Sequence, residues 1–466
     1  MPAGNEAESA ARKPCVGSIK LILPYSEKKV PALSILIKNA SYVLTQDTKR
    51  RVLRDADVLI EGDRITKVGR GITKRAGKTV DGRGKAVLPG LINLHTHASM
   101  TLFRGIADDV GLFEWLEGSI FPLEAKLTEE DIRCGAMVGA LEMVKSGTTS
   151  FLDMYVSMDR VAEACKEIGI RGFLSVGVTD IGASPEAAEA KLGLCERFIE
   201  RWSGDELITP SVGPHAIYTC SAGFLRKANA LAKRHGVLVH THLSETKKEA
   251  ADCRRKNGMS PARYLDKLGL LSPRLVAAHS VWMTGEDISL MKRRGARVAY
   301  CPVSNLKLGS GVAPVHEMRK RGLCVGLGTD SAASNNSLDL FEEMKFGALL
   351  QKGTNLDSRI ISAQDALDMA TIDGARCLGA EDRLGSIEKG KLADVILVDL
   401  AKPHLTPIHS VLSHLVYSAK GSDVAAAIIN GRVVIEDGKL LTSDEKEILR
   451  KAQKASEGLL RRASLR

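Results

Sequence analysis

At 466 residues the chain is too long for one small domain and long enough for a large barrel with a minor domain beside it. Apolar residues make up 44% and charged residues 26%, the balance of an ordinary globular protein, and no apolar run approaches the ~20 residues that span a bilayer. The net charge of +10 raises nucleic-acid binding, but the basic residues gather at predicted helix ends: Lys233-Arg234, Lys292-Arg293-Arg294 and Lys320-Arg321, each followed within two residues by Gly236, Gly295 or Gly322. Cations in a last turn complement the helix dipole, and glycine accepts the left-handed conformation that ends a helix. Neither a nucleic acid nor a membrane is therefore expected as a partner.

In chain order, residues 1–32 read as an irregular extension; Met1 to Pro14 lacks the apolar segment of a secretory signal. Ser34–Leu44 and Val58–Val68 alternate apolar and polar residues, with Glu61-Gly62-Asp63 as a turn. Eight short apolar runs follow: Ala86–His95, Thr149–Tyr155, Gly172–Val178, Ile208–Pro214, Val237–His242, Leu275–Ser280, Arg297–Cys301 and Leu323–Thr329. Helical patterns separate most of them, such as Glu129–Lys145, Ala187–Trp202 and Phe224–Arg234, which is the rhythm of parallel βα units. Eight such units predict an α/β fold, a closed (β/α)8 TIM barrel over residues 89–384. An open sheet with a nucleotide loop is disfavoured, because no G-x-G-x-x-G occurs. Ala393–Asp399 and Ala425–Glu436 again read as strands, with Asn430-Gly431 as a hairpin turn. Neither flank can bury a core alone, so residues 33–88 and 385–440 are expected to form one small β domain. Residues 441–466 read as a charged helix. The nine cysteines form no C-x-x-C pair, which predicts free thiols in a reducing cytoplasm.

The polar residues that close these strands carry the chemistry. His95 and His97, at i and i+2 on the first strand, point to one side and can both face the barrel mouth. Imidazole suits zinc, nickel or iron. The fifth strand ends His240-Thr241-His242-Leu243-Ser244-Glu245, the sixth at His279 and the eighth at Asp330. In barrel enzymes the site gathers at such C-terminal strand ends, so the set converges on one place.

Pro89-Gly90-Leu91-Ile92-Asn93-Leu94-His95-Thr96-His97, His242-Leu243-Ser244-Glu245-Thr246 and Gly328-Thr329-Asp330-Ser331-Ala332-Ala333-Ser334-Asn335-Asn336 resemble the amidohydrolase superfamily. Within it they resemble the branch of methylthioadenosine, S-adenosylhomocysteine and 5′-deoxyadenosine deaminases. Ser304-Asn305-Leu306-Lys307-Leu308-Gly309 and Gly213-Pro214-His215 add to the likeness, which runs from about Leu33 to Leu440.

The resemblance implies that His95, His97, His242 and Asp330 bind one zinc ion, which lowers the pKa of a water toward about 7. His279 would take that water's proton, Glu245 would protonate N1 of a purine, and Asp330 would pass a proton to the departing amine. Glu124 would accept bonds from ribose hydroxyls, Trp115 would lie against the nucleoside, and His215 would bond the sugar or base. The expected partner is a small-molecule nucleoside, and the expected assembly a homo-oligomer. Binuclear members bridge two metals through a lysine ending the fourth strand; here Thr209–His215 contains none, which favours one metal. Cytidine-type zinc deaminases use H-x-E and P-C-x-x-C, which do not occur. The alternative enzyme acts on another heterocycle, such as guanine, cytosine or an s-triazine. A metal-free scaffold on the same barrel is disfavoured, because every ligand position is filled.

Overall fold

The structure, a computed structural model, describes residues 34–464. The extension expected at residues 1–32 lies outside the described residues. The N-terminal flank supplies strands β1 (Ser34–Leu44), β2 (Val52–Glu61), β3 (Arg64–Gly69), β4 (Lys78–Asp81) and β5 (Lys85–Pro89). Barrel strands follow as β6 (Leu91–Thr96), β7 (Thr148–Tyr155), β8 (Arg171–Val178), β9 (Ile208–Pro214), β10 (Val239–Leu243), β11 (Leu275–His279), β12 (Arg297–Tyr300) and β13 (Cys324–Leu327). The C-terminal flank returns as β14 (Val395–Asp399), β15 (Val424–Ile429), β16 (Arg432–Glu436) and β17 (Lys439–Leu440).

The flanks share one nine-stranded sheet, ordered β17-β16-β15-β14-β5-β1-β2-β3 with β4 also on β1. The join between them is the antiparallel pair β14·β5, in which Ile396 opposes Leu88. One apolar run is thus two strands. Ala86–His95 reads as continuous in sequence, but its first half pairs in the flank sheet and its second half opens the barrel. Gly90 is the break: a Cβ there would lie 2.0 Å from the Thr149 hydroxyl, so only glycine lets the chain pass between the two sheets. Arg171, at the start of β8, forms a buried ion pair with Asp394 at 3.0 Å, tying the barrel to the flank sheet.

All seven pairings among the eight barrel strands are parallel and follow chain order. Parallel strands covered by helices read as continuous apolar runs, which is why they were visible in sequence. The seam between β13 and β6 closes partly through a side chain. The Thr329 amide donates to Asn93 Oδ1 at 3.1 Å, Asn93 Nδ2 donates to the Thr329 hydroxyl at 2.7 Å, and the Asp330 amide donates to the His95 carbonyl at 2.8 Å. Gly328 allows this approach, since a Cβ there would lie 2.9 Å from the His95 amide nitrogen.

The clustered cations sit where helices end. Lys233 and Arg234 fall in the last turn of Ala222–His235 before left-handed Gly236, and Lys292-Arg293-Arg294 in that of Gly285–Arg294 before left-handed Gly295. A helix at Glu445–Arg462 buries Leu459 and pairs Glu445 with Lys145 of helix Glu129–Lys145 at 2.6 Å. Among the described residues no helix is long and apolar enough to cross a membrane.

Candidate active site

Strand ends on one barrel face bring His95, His97, His242, His279 and Asp330 together. The ligand atoms of His95, His97 and Asp330 lie within 4.8 Å of one another, as do those of His95, His242 and His279. Asp330 Oδ1 is 3.3 Å from His95 Nε2 and 3.4 Å from His97 Nε2, and His242 Nε2 is 3.4 Å from His97 Nε2. Three strand-end residues, Ser244, His279 and Asp330, adopt left-handed backbone with φ of 51°, 69° and 63°. Such strain, about 1–3 kcal/mol per residue, persists only where the surroundings enforce it, and it clusters at functional sites.

Hydrogen bonds fix which nitrogen each imidazole presents. His97 Nδ1 donates to the Met154 carbonyl at 2.5 Å, and His242 Nδ1 to the His215 carbonyl at 2.8 Å. A carbonyl can only accept, so the proton sits on Nδ1 and the Nε2 lone pair faces the cluster. His279 Nδ1 meets Asn305 Oδ1 at 2.9 Å, and His95 Nδ1 meets His240 Nε2 at 2.9 Å. His95 Nε2 is buried with no hydrogen-bond partner. Burial holds His95 at about 3 and pushes His97 and His242 below the usual imidazole range, so all three present neutral nitrogens at pH 7. For Asp330 burial works toward the neutral acid, but the close approach of His95 and the neighbouring imidazoles outweighs it and holds the group well down. The Ser304 hydroxyl donates to Asp330 Oδ2 at 2.6 Å and the Ser331 amide to Oδ1 at 2.8 Å. Three neutral imidazoles and an ionised carboxylate, one nitrogen orphaned, form a donor set that suits zinc.

Beside this cluster opens a cavity of about 590 Å3. His97, His242, Glu245, His279 and Asp330 line its floor, and Trp115, Glu124 and His215 line its walls. Every residue expected at the site from sequence, save buried His95, faces this space. Glu245 is 3% exposed and its Oε2 lies 3.8 Å from His279 Nε2. Burial, with Asp330 nearby, pushes its carboxyl well above the usual range. The turn that aims it is clamped: Glu249 accepts from the Ser244 amide at 2.9 Å and from the Glu245 amide at 2.8 Å, while Thr246 caps the helix carrying Glu249. Glu124, half-buried in the wall, accepts from the Tyr155 hydroxyl at 2.8 Å, and burial raises its carboxyl to about 7. His215 Nδ1 bonds Thr219 Oγ1 at 2.9 Å. Trp115 is 5% exposed, with Nε1 unpartnered.

Sequence reasoning missed several supports. Tyr155 closes an apolar strand with a polar group, the same signal that singled out His279. Ser304 and Asn305 stood in a noted motif without a role; they hold Asp330 and His279. Glu249, four residues beyond Glu245, carried no signal of its own. Lys191, in helix Pro185–Trp202, also lines the cavity.

The amidohydrolase family pattern matches residues 86–434. The chain is 45% identical over 433 residues to a 5′-deoxyadenosine deaminase of Methanosarcina barkeri, covering 92% of this chain and 99% of that one. It is 47% identical over 411 residues to a 5-methylthioadenosine/S-adenosylhomocysteine deaminase of Thermococcus onnurineus, covering 88% and 95%. Among solved structures, an adenosine deaminase from Xanthomonas campestris with bound zinc superposes with a TM-score of 0.88 at 34% identity, covering 91% of this chain and 98% of that one. The barrel, its flank sheet and these matches together establish that the chain belongs to the amidohydrolase family.

Proposed function

We propose that the protein is a zinc-dependent deaminase that converts a 5′-modified adenosine to the inosine analogue and ammonia. The observation that carries this reading is one cavity holding a zinc-type donor set, a buried carboxyl and a second recessed carboxyl. His95, His97, His242 and Asp330 would hold a single zinc, and the donor set fits that ion. When bound, zinc supplies a water acidic enough to be a nucleophile near neutral pH. His279, whose Nδ1 is engaged by Asn305, would accept that water's proton on Nε2. Glu245, whose burial favours the neutral acid, would donate to purine N1 as C6 is attacked. Asp330 would take the proton of the new C6 hydroxyl and pass it to the amine as the C6–N bond breaks, and the proton held by His279 would restore Glu245. The strands Leu91–Thr96, Val239–Leu243 and Leu275–His279 carry His95, His242 and His279, so little reorganisation of these groups would accompany the reaction.

Glu124 is the group that separates nucleosides from bare bases. Glu124→Ala is expected to weaken adenosine analogues by about 1–3 kcal/mol and to leave a free base unaffected. Measured kcat/KM for both classes checks this; equal losses would assign Glu124 to folding.

The wall toward the 5′ position is apolar. Val176, 8% exposed near the end of β8, lines the cavity with Val178, Ile181 and Leu194. Relatives that take S-adenosylhomocysteine are expected to clamp its carboxylate with arginines, which pair bidentately; Val176 stands at the first such position. Lys191 is cationic, but its ammonium donates to the Thr179 carbonyl at 2.8 Å and hydroxyl at 3.2 Å. Each buried methylene contributes about 0.8 kcal/mol, so 5′-methyl and 5′-methylthio groups are favoured. We expect kcat/KM for 5′-deoxyadenosine or methylthioadenosine to exceed that for S-adenosylhomocysteine, with Val176→Arg narrowing the gap. If S-adenosylhomocysteine is best and Lys191→Met removes the preference, Lys191 is the clamp instead.

An ammonia-release screen over adenosine, 5′-deoxyadenosine, methylthioadenosine, S-adenosylhomocysteine, guanine, cytosine and an s-triazine tests the reading. Guanine, cytosine or the triazine as best substrate would overturn it. Cytoplasmic residence and a homo-oligomer belong to the same reading. Buried free thiols support the first, and exposed Phe346 and Leu349 on helix Leu340–Asn355 offer an apolar strip for the second.

A further inference from the structure

At the opposite end of the strand that leads to Asp330, two thiols meet. Cys324 opens β13, and Cys377 lies in helix Ile372–Leu378, which packs along that strand. Their sulfurs are 3.4 Å apart, across 53 residues of chain. Of the eight free cysteines among the described residues, seven are buried, and Cys324 is the one with partial exposure. It borders a cavity of about 830 Å3 that also holds Arg319, Arg376 and Asp373. The other buried thiols that bond at all use carbonyls, a carboxylate or an amide; Cys195, for example, contacts the Val176 carbonyl at 3.8 Å. One accessible sulfur against one sequestered sulfur is the arrangement of an attacking and a resolving thiol.

We propose that Cys324 and Cys377 form a peroxide-sensitive dithiol whose disulfide staples β13 to helix Ile372–Leu378. The Cys324 sulfur attacks one oxygen of hydrogen peroxide, the O–O bond breaks, and a sulfenic acid forms with release of water. Cys377 then attacks the Cys324 sulfur, the S–O bond breaks, and a second water leaves with the remaining thiol proton. Two thiols and one peroxide thus give one disulfide and two waters; the sulfurs lose the electron pair that the peroxide oxygens gain. Closing to a bond of about 2.05 Å asks the sulfurs to approach by about 1.4 Å. The hydrogen bond from Cys377 favours the Cys324 thiolate against burial and the Asp373 carboxylate, with smaller help from the guanidinium groups of Arg297 and Arg376, while burial pushes the Cys377 thiol up. The neighbouring carboxylates are paired with arginines: Asp373 accepts from Arg319 and Arg376, both at 2.7 Å, and Asp365 from Arg319 at 3.0 Å. Chemistry in a barrel sits at the C-terminal strand ends, and the N-terminal face serves stability. The bond is therefore expected to stabilise the fold by constraining the unfolded chain, leaving turnover unchanged.

The test uses the full-length, metal-loaded, reduced protein exposed to hydrogen peroxide, alkylated under denaturing conditions and mapped by peptide mass. The expected result is loss of two alkylatable thiols, a Cys324–Cys377 cross-linked peptide reversed by dithiothreitol, and a Tm raised by a few degrees in the oxidised form. In Cys377→Ser, with Cys377→Ala as a second variant to preserve packing, Cys324 should accumulate as a sulfenic acid trapped by a cyclic 1,3-dione. Full alkylation of both cysteines after a peroxide dose that oxidises surface methionines would overturn the proposal. So would Cys324 passing to a sulfinic acid while Cys377 stays free, and a cross-link with unchanged Tm would remove the stapling role.

Discussion

His97→Ala is expected to strip the protein of metal and of activity together. His97 offers Nε2 to a site where Asp330 Oδ1 lies 3.4 Å away, and its ring is locked by the 2.5 Å bond from Nδ1 to the Met154 carbonyl. Removing it leaves His95, His242 and Asp330 and opens the fourth position to water. Changes to groups that merely orient a ligand cost about 10–100-fold in metal affinity, so loss of a ligand should cost more. Ser304→Ala, which removes a hydroxyl from Asp330 but no metal donor, supplies that comparison. Elemental analysis should find about one equivalent of zinc or a similar ion in the parent protein, and far less in His97→Ala. Because metal binds the folded state, chelation should also lower the Tm of the parent and shift the variant little. Two tightly bound metals per chain would reject a mononuclear site, and full metal content in His97→Ala would remove His97 from the ligand set.

The barrel was legible in sequence because its strands are buried on both faces. Runs such as Thr148–Tyr155 and Arg171–Val178 are almost wholly inaccessible, so selection for apolar residues leaves a continuous signal. The same signal hides boundaries. Lys85–Pro89 and Leu91–Thr96 belong to different sheets, yet only Gly90 separates them, and its reason is the Thr149 side chain far along the chain. The flanks read less fully, since β1 alternates irregularly: its register slips between Ile37 and Ala40. At the site, residues that close strands announced themselves by chemistry out of keeping with their neighbours. Their supports did not, because a carbonyl of Met154 or a carboxylate of Glu249 acts through three-dimensional proximity and any residue supplies a carbonyl. Lys191 shows the same limit from the other side: its place in helix Pro185–Trp202 comes to line the cavity only once the barrel has formed.

Glu245→Gln is expected to keep the metal and lose turnover by about 10² or more. No hydrogen bond joins the side chain to His95, His97, His242 or Asp330, and its Oε2 lies 3.8 Å from His279 Nε2. Glutamine has the same shape, and the backbone that aims it is held independently by the two amide bonds to Glu249. The substitution therefore removes one property, a proton that can move. In the native protein burial, with Asp330 nearby, favours the neutral carboxyl, which suits the group to act as an acid. A neutral amide can still hydrogen-bond a ring nitrogen, which predicts that substrate binding survives and that the loss falls on kcat more than on KM. Elemental analysis and steady-state kinetics on the same preparation separate the outcomes. Near-parental kcat with metal intact would exclude Glu245 as the ring acid, while parallel loss of metal and activity would make it a structural member of the cluster.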